Sequence, residues 1–239
     1  MPERLDGRVV VIAGASHGLG AIVTREFAKT GAALTLAARN AGPLETLAGE
    51  LGMPAECVLV HTADATQEGP VNDLVAAVIA RWGRVDVLLN CVGEWMGGKR
   101  VWETEAETWD MVMALNLRAA FLLSRAVLPS MLQNGWGRIV HISSRMALEP
   151  QSLSVAYTIS KMGLIRLTET LASEIKGTGV TANVIVPSFI DTPDSRAAVP
   201  QVDFSRCVPA EAIAATMQFL CTDAARYVNG ARIPMYGSV

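Results

Sequence analysis

Two side chains four residues apart, Tyr157 and Lys161, have the chemistry needed to move a proton. In a helix, positions four apart share one face, so the phenol and the ammonium would point into the same cleft. A free tyrosine has a pKa of about 10 and is a poor proton donor or acceptor near neutral pH. A lysine ammonium about 5 Å away favours the phenolate by roughly 3 kcal/mol. The pair therefore has the chemistry of a general acid and base, as the reduction of a carbonyl requires, although its spacing alone proves little.

A glycine-rich turn follows the first apolar run of the chain and has the sequence Gly14-Ala15-Ser16-His17-Gly18-Leu19-Gly20. Glycine permits a tight turn and lets the backbone approach a pyrophosphate. A helix that starts within the turn offers free N–H groups and a partial positive charge to phosphates. A strand, a turn and a helix in this order predict a dinucleotide site. Its expected contacts are Gly14, Ser16, His17, Gly18, Leu19 and Gly20.

The end of the second apolar run indicates which dinucleotide is bound. Proteins that bind NAD usually have Asp or Glu there, about 20 residues after the glycine turn, to hold the ribose 2′-hydroxyl. Here Ala38 is followed by Arg39, and no carboxylate is available. A guanidinium suits the 2′-phosphate of NADP, and His17 is a possible second partner. The sequence therefore predicts NADP(H) as the cofactor.

Alternating apolar runs and helical patterns predict the elements that position these residues. Buried strands are expected at Arg8–Ala13, Ala33–Ala38, Cys57–Val60, Val85–Leu89, Arg138–Ile142, Val180–Val186 and Ala231–Met235. Helices are expected at Gly20–Thr30, Val71–Trp82, Thr108–Asn134 and Tyr157–Lys176. Nearly continuous apolar strands are typical of a parallel sheet covered on both faces. The prediction is a doubly wound (Rossmann-type) α/β fold, with a seven-stranded parallel sheet and helices on both faces.

Length and composition favour one domain over residues 1–239. Hydrophobic residues make up 51% of the chain and charged residues 18%, which suits a globular core. We find no repeat, linker or low-complexity segment. Residues 187–209 contain four prolines and break the alternation of strands and helices. We interpret this segment as a mobile loop or lid on the substrate side of the same domain.

Several classes of partner are not expected. A net charge of −3 gives no electrostatic reason to bind nucleic acid. No apolar run approaches the roughly 20 residues that span a bilayer, and the charged amino terminus does not resemble a secretory signal. We therefore expect a cytoplasmic protein without a membrane partner. The four cysteines are widely separated and lack the spacing of a zinc site, so no metal is predicted.

The order of these motifs resembles that of the short-chain dehydrogenases/reductases, in their compact single-domain branch. The likeness extends from about Gly7 to Gly237. Besides the glycine turn, it depends on Asn90-Cys91-Val92-Gly93, which is similar to the family's Asn-Asn-Ala-Gly. It also depends on Asn116 in the long helix, and on Ser144 placed 13 residues before Tyr157.

The resemblance implies a role for each of four catalytic residues, Asn116, Ser144, Tyr157 and Lys161. Tyr157 would be the general acid in reduction and the base in oxidation. Lys161 would lower the pKa of Tyr157 and hold the nicotinamide ribose. Ser144 would hydrogen-bond the substrate oxygen, and Asn116 would anchor a water that relays protons to Lys161. The further cofactor contacts that the resemblance implies are Asp64, Ala65, Asn90, Gly93, Pro187, Ile190 and Thr192.

Some positions depart from the family pattern, although none of them is a reacting group. Ser188 stands where glycine is usual, and His141 stands where asparagine is common. We interpret His141 as a strand residue rather than a catalyst. Arg145, directly after Ser144, either meets an anionic group or faces solvent or another subunit. An apolar substrate wall is expected from Trp95, Met96, Met146 and Phe189.

The favoured interpretation is an NADP(H)-dependent oxidoreductase that interconverts a small-molecule ketone or aldehyde and an alcohol, with reduction of a 3-oxoacyl thioester as one specific possibility. An isomerase or epimerase with the same Tyr/Lys pair is an alternative, although only 78 residues follow Lys161 to form its larger substrate region. A non-catalytic nucleotide sensor is another alternative, although such proteins tend to lose the tyrosine. The apolar helices Thr108–Asn134 and Tyr157–Lys176, together with the resemblance, predict a homodimer or homotetramer.

Overall fold

Seven parallel strands form the central sheet in the computed structural model, which describes residues 4–238. These strands are β1 (Val9–Ala13), β2 (Ala33–Ala38), β3 (Val58–Thr62), β4 (Val87–Asn90), β5 (Gly137–Ile142), β6 (Val180–Pro187) and β9 (Arg232–Met235). Their order across the sheet is β3-β2-β1-β4-β5-β6-β9, and every pairing is parallel. Two short strands, β7 (Ile190–Asp191) and β8 (Val208–Pro209), pair separately. The predicted doubly wound sheet is confirmed.

Helices cover both faces of this sheet. They are α1 (Gly18–Phe27), α2 (Ala41–Glu50), α3 (Glu68–Trp82), α4 (Ala106–Met113), α5 (Ala119–Asn134), α6 (Val155–Glu174), α7 (Pro193–Ala198) and α8 (Ala210–Leu220). The strand β1 shows how the two faces are filled. Val10 and Ile12 belong to the core that contains Phe27 of α1, whereas Val9 and Val11 belong to the core on the opposite face. Because successive side chains of a strand point to opposite faces, an apolar run buries both.

The strand order places the carboxyl ends of several strands around one crevice. In the sheet, β1 lies between β2 and β4, and Ala13 is paired with Ala37 on one side and Asn90 on the other. The chain after β1 first adds β2 and β3 on one side of it and later adds β4 and β5 on the other side. A crevice therefore opens beyond the end of β1. The residues that follow these strands therefore converge on it.

Three helices were not predicted from the sequence, namely α2, α7 and α8. The helix α2 contains two glycines and a proline and buries only Leu44 and Leu47, so its apolar pattern is weak. The helix α7 lies within the proline-rich segment 187–209, which also contributes β7 and β8 and is more regular than expected. By contrast, α8 buries Ile213 and Met217, four residues apart, and this signal was missed.

The helical stretch Ala106–Asn134 is long and apolar enough to cross a membrane by length and composition, with a mean hydropathy of 1.5. The expectation that no such run exists is therefore wrong on those two criteria. Core helices meet the same criteria. Here Leu123, Val127 and Met131 are buried with sheet residues in one core cluster. Composition alone is thus weak evidence for a membrane-spanning role.

Candidate active site

A cleft of about 1450 Å³ opens at the carboxyl edge of the sheet. It brings together residues that are far apart in the sequence, from the glycine turn to the segment after β6. Every predicted site residue except Asn90 and Asn116 lines this cleft. Of the predicted substrate wall, Trp95, Met146 and Phe189 line it, whereas Met96 lines a smaller neighbouring pocket.

The glycine turn leaves no room for side chains at two positions. A Cβ on Gly14, where φ is +80°, would lie 2.9 Å from the carbonyl carbon of Cys91. A Cβ on Gly20 would lie 1.9 Å from the carbonyl oxygen of Gly14. The turn is therefore folded closely on itself and on the end of β4. The N-cap residue of α1, His17, makes no side-chain capping hydrogen bond. This start of α1 suits an anionic group of the kind that a dinucleotide carries.

Charged side chains follow β2 and β3 at the same edge. Arg39 comes directly after β2, is exposed, and makes no ion pair within residues 4–238. Asp64 follows β3, and its Oδ1 accepts hydrogen bonds from the backbone N of Thr66 at 2.9 Å and from the Thr66 hydroxyl at 2.7 Å. The guanidinium can attract an anionic group, and the anchored carboxylate can accept hydrogen bonds.

The start of α6 and the end of β5 bring the candidate reacting groups together. The side chains of Tyr157 and Ser144 line the same part of the cleft, close enough for Ser144 to act on the pKa of Tyr157. The Nζ atom of Lys161, one helical turn after Tyr157, donates a hydrogen bond to the carbonyl oxygen of Ile142 at 2.9 Å. The hydroxyl of Ser143 donates to the carbonyl oxygen of Lys161 at 2.8 Å, which fastens α6 to the end of β5. The spacing of Tyr157 and Lys161 therefore does place both side chains in one cleft.

Burial controls the protonation of this pair. Burial raises the pKa of Tyr157, and the nearby Ser144 side chain opposes this rise. The expected net lowering of the Tyr157 pKa by Lys161 is therefore not found, because desolvation dominates. Burial also lowers the pKa of Lys161 to about 8, while nearby Cys91 acts in the opposite direction. Near neutral pH, the phenol is thus protonated and the amine is still largely charged.

Asn116 lies behind the cleft wall, in a π-helical turn (Ala114–Arg118) between α4 and α5. Its Oδ1 accepts a hydrogen bond from the backbone N of Glu94 at 2.9 Å, and its Nδ2 donates to the carbonyl oxygen of Glu94 at 3.0 Å and to the Ser160 hydroxyl at 3.1 Å. A Cβ on Gly93 would lie 2.8 Å from both Asn116 Oδ1 and Lys161 Nζ. The Asn116 side-chain amide therefore holds the backbone that follows β4 in place beside Lys161.

Asn90 also faces away from the cleft. Its Oδ1 accepts a hydrogen bond from the backbone N of Val92 at 3.1 Å, and its Nδ2 lies 3.2 Å from Nδ1 of His141. Burial lowers the pKa of His141 to about 3, and Lys161 contributes in the same direction. The imidazole is therefore neutral, and it lies within β5, as the interpretation of His141 as a strand residue requires.

The segment after β6 covers the glycine turn. Thr192 caps α7 by accepting a hydrogen bond from the backbone N of Ser195 at 3.1 Å. An oxygen of the Asp194 carboxylate, in the first turn of α7, lies 3.2 Å from the place where a Cβ on Gly18 would be. Asp194 was not singled out from the sequence. No local pattern indicates a contact between residues so far apart in the chain.

The carboxyl-terminal residues contact two residues of the cleft, Ser188 and Arg145. The hydroxyl of Ser188 accepts a hydrogen bond from the backbone N of Gly237 at 2.9 Å. Ser188, which stands where glycine is usual, therefore anchors the backbone at Gly237. Arg145 pairs with Glu149 at 2.8 Å and lies 5.2 Å from the ring centre of Tyr236. Among residues 4–238, no cluster of three His, Cys, Asp or Glu side chains is suited to a metal ion.

Comparison with known proteins decides the family. The family model described as short chain dehydrogenase matches residues 8–203, which is most of the chain. The chain belongs to the short-chain dehydrogenase/reductase family. D-threitol dehydrogenase of Mycolicibacterium smegmatis is 33% identical over 98% of this chain and 93% of its own length. The 3-oxoacyl-acyl-carrier-protein reductase of Thermotoga maritima is 31% identical over 99% of both chains.

A solved structure of a short-chain type dehydrogenase/reductase from Mycobacterium ulcerans has a TM-score of 0.92 and 25% identity, covering 98% of this chain and 90% of that one. The same fold therefore extends over nearly the whole of this short-chain dehydrogenase/reductase. We conclude that the protein is an oxidoreductase, of a family that uses NAD(P) nucleotides and whose members include relatives named for alcohol and ketone substrates.

Proposed function

We propose that the protein interconverts a small-molecule ketone or aldehyde and an alcohol, with NADP(H) as the cofactor. The observation that carries the proposal is the arrangement of Tyr157, Ser144 and Lys161. All three line the cleft that also contains the glycine turn, and Ser144 acts to lower the pKa of Tyr157. NADP(H), when bound, supplies or accepts the hydride.

The residues of the cleft suit NADP(H) along its whole length. Arg39 would bind the 2′-phosphate, because its guanidinium is exposed and makes no ion pair within residues 4–238. The glycine turn, from Gly14 to Gly20, would hold the pyrophosphate at the start of α1. The adenine end would meet Asp64 and Ala65, and the nicotinamide end would meet Gly93, Pro187, Ile190 and Thr192, all of which line the cleft. Asn90 does not line the cleft, and it would act on the cofactor site through its hydrogen bond with the backbone N of Val92.

Tyr157 would exchange a proton with the substrate oxygen. In reduction the phenol donates its proton to that oxygen, and in oxidation the phenolate takes the proton back. Because burial raises the Tyr157 pKa, the phenol keeps its proton near neutral pH, which is the form that reduction requires. Ser144 would hydrogen-bond the same oxygen and stabilise the charge that develops on it.

Lys161 and Asn116 would support the reacting groups. The Lys161 ammonium would hold the ribose next to the nicotinamide and stabilise the phenolate by its charge. Asn116 would connect Lys161 to water, and its hydrogen bonds to Glu94 keep the neighbouring backbone in place. A π-helical turn often marks a functional position in a helix, which agrees with this assignment.

Absorbance of the reduced cofactor gives a direct test. Purified protein would be mixed with NADPH and a panel of small ketones, sugar-derived ketones and 3-oxoacyl thioesters. We expect NADPH consumption with at least one member, and no consumption by Tyr157→Phe at the same protein concentration. NADPH binding without turnover on any carbonyl would favour a sensor. Conversion of the substrate without net change in NADPH would favour an isomerase or epimerase.

The panel separates substrate classes that the relatives suggest. One relative is named for a polyol, and another for a 3-oxoacyl thioester. The cleft contains the apolar side chains of Trp95, Met146 and Phe189, which suit a carbon chain. No feature of the described site favours an isomerase, an epimerase or a nucleotide sensor over an oxidoreductase.

We also propose one domain over residues 1–239, with residues 187–209 as its substrate-side lid, and self-association into a homodimer or homotetramer in the cytoplasm. The lid assignment is supported by Ile190 and Thr192, which line the cleft. Association is supported by apolar side chains exposed on three helices, Met111 of α4, Phe121 of α5 and Ile159 of α6. Light scattering would test it, since a monomer at micromolar concentration would contradict the proposal.

A further inference from the structure

A buried histidine in β5 is not used by the proposed chemistry. His141 is fully buried, and both of its ring nitrogens have side-chain partners. Nδ1 lies 3.2 Å from Nδ2 of Asn90, and Nε2 lies 3.2 Å from the hydroxyl oxygen of Ser124. The His141 ring, which belongs to β5, therefore connects α5 to the end of β4.

The direction of each hydrogen bond follows from the partners. The Ser124 hydroxyl donates its hydrogen to the carbonyl oxygen of Ala120 at 2.7 Å, so its oxygen accepts from His141. Nε2 of His141 must then carry the proton, and Nδ1 must accept from Nδ2 of Asn90. This orientation leaves Oδ1 of Asn90 to accept from the backbone N of Val92 at 3.1 Å.

The opposite tautomer would break this chain. A hydrogen on Nδ1 would face the amide NH₂ of Asn90, and two donors cannot bond to each other. If the Asn90 amide then turned over, its NH₂ would face the N–H of Val92 and that bond would be lost. A protonated imidazole has the same conflict, which agrees with the low pKa of about 3 caused chiefly by burial.

We propose that His141 is a positioning residue, which fixes the orientation of the Asn90 amide and thereby the backbone bend from Asn90 to Gly93 that forms the cofactor-side wall of the cleft. Val92 and Gly93 line the cleft, and Gly93 lies directly against Lys161 and Asn116. The inference depends on the proposed function only in assuming that NADP(H) contacts this wall.

Two substitutions each preserve one of the two side-chain hydrogen bonds of His141. In His141→Asn, the side-chain carbonyl lies near the position of Nδ1 and can still accept from Asn90. In His141→Gln, the amide reaches the position of Nε2 and can still donate to Ser124, but the acceptor for Asn90 is lost. We expect both variants to unfold at lower temperature. Only His141→Gln should speed hydrogen exchange of the Val92 amide, by about tenfold, because one hydrogen bond is lost.

Nitrogen-15 NMR of histidine-labelled protein gives an independent readout. We expect the His141 resonances of a neutral ring protonated at Nε2, unchanged between pH 8 and pH 5. Thr181→Val is a matched control, because Thr181 is buried in neighbouring β6 and its hydroxyl has no hydrogen-bond partner among the described residues. This variant should leave the His141 resonances and Val92 exchange unchanged.

NADPH affinity then connects positioning to binding. We expect the Kd for NADPH to rise about tenfold in His141→Gln and to change less than twofold in His141→Asn. Equal losses in both variants, or a ring protonated at Nδ1, would overturn the inference. If the wild-type protein binds no NADPH, the proposed cofactor is wrong, while Val92 exchange and the tautomer still decide whether His141 positions the bend.

Discussion

The ammonium nitrogen of Lys161 lies 5.8 Å from the centre of the Tyr157 ring. It donates a hydrogen bond to the carbonyl oxygen of Ile142, and within residues 4–238 no hydrogen bond joins it to the Tyr157 side chain. Burial of both groups favours their uncharged forms, which are the phenol and the amine. Charge on the cofactor or on the substrate oxygen would therefore have a large effect on which form is present.

Replacing Tyr157 by phenylalanine should remove turnover but not cofactor binding. The substitution deletes only the hydroxyl that donates the proton, and general acid catalysis commonly contributes 10²- to 10⁴-fold. We expect kcat to fall by at least about 10² and the Kd for NADPH to change less than about threefold. Tyr227→Phe is the control, because Tyr227 is largely exposed and does not line the cleft. A kcat above about a tenth of wild type would contradict the assigned role.

Replacing Lys161 by methionine should stabilise the folded protein. Because burial lowers the Lys161 pKa from 10.5 to about 8, keeping this side chain charged in the fold costs about 3 kcal/mol at pH 7. Methionine fills similar space without the charge, although one hydrogen bond to Ile142 is lost. We expect the free energy of unfolding to rise by about 1–2 kcal/mol at pH 7, while turnover falls sharply.

The pH dependence of that difference follows from the direction of the shift. Below pH 8, both the folded and the unfolded chain hold the Lys161 proton, so the full cost of burial is present. Between about pH 8 and 10.5, the unfolded chain holds more protons at this site, and stability due to Lys161 rises with pH. The advantage of Lys161→Met should therefore shrink over this range in urea titrations.

The sequence predicted the sheet because strands depend on short-range apolar patterns, whereas most residues of the cleft were expected from the family resemblance. The apolar runs gave all seven strands with ends within two residues of those observed, and Arg39 was placed by its position after a strand. The π-helical turn at Asn116 was not predictable, because the helical pattern continues through it.

Contacts between residues far apart in the chain could not be predicted from the sequence. Asn90 was expected among the cofactor contacts, yet its amide faces His141, which is 51 residues away in the chain. The Tyr157 pKa was expected to fall, because two charges at helical spacing suggest attraction. The rise results from desolvation, which depends on every element packed around the phenol.

Replacing Arg39 by alanine should reduce the preference for NADPH. A charge-assisted hydrogen bond contributes about 1.5–3 kcal/mol, so kcat/KM with NADPH should fall by about 10- to 100-fold. The value with NADH should change little, since NADH lacks the 2′-phosphate. Arg81→Ala is the control, because Arg81 lies on α3 and does not line the cleft. Equal losses with both cofactors would indicate a structural role for Arg39.

Replacing Asp194 by asparagine should tighten cofactor binding. The Asp194 carboxylate lies beside Gly18, where α1 begins, and makes no ion pair within residues 4–238. If the glycine turn holds the pyrophosphate, two negative groups approach the start of the same helix. Their repulsion should be of order 1 kcal/mol near a protein surface, and salt should screen it.

We therefore expect Asp194→Asn to lower the Kd for NADPH about three- to tenfold in low salt, and less at high ionic strength. Asp110→Asn removes the same charge from an exposed position on α4 outside the cleft, and it should leave the Kd within about twofold. Isothermal titration at two salt concentrations would measure both. Weaker binding by Asp194→Asn would contradict this prediction and would mean that the carboxylate favours cofactor binding.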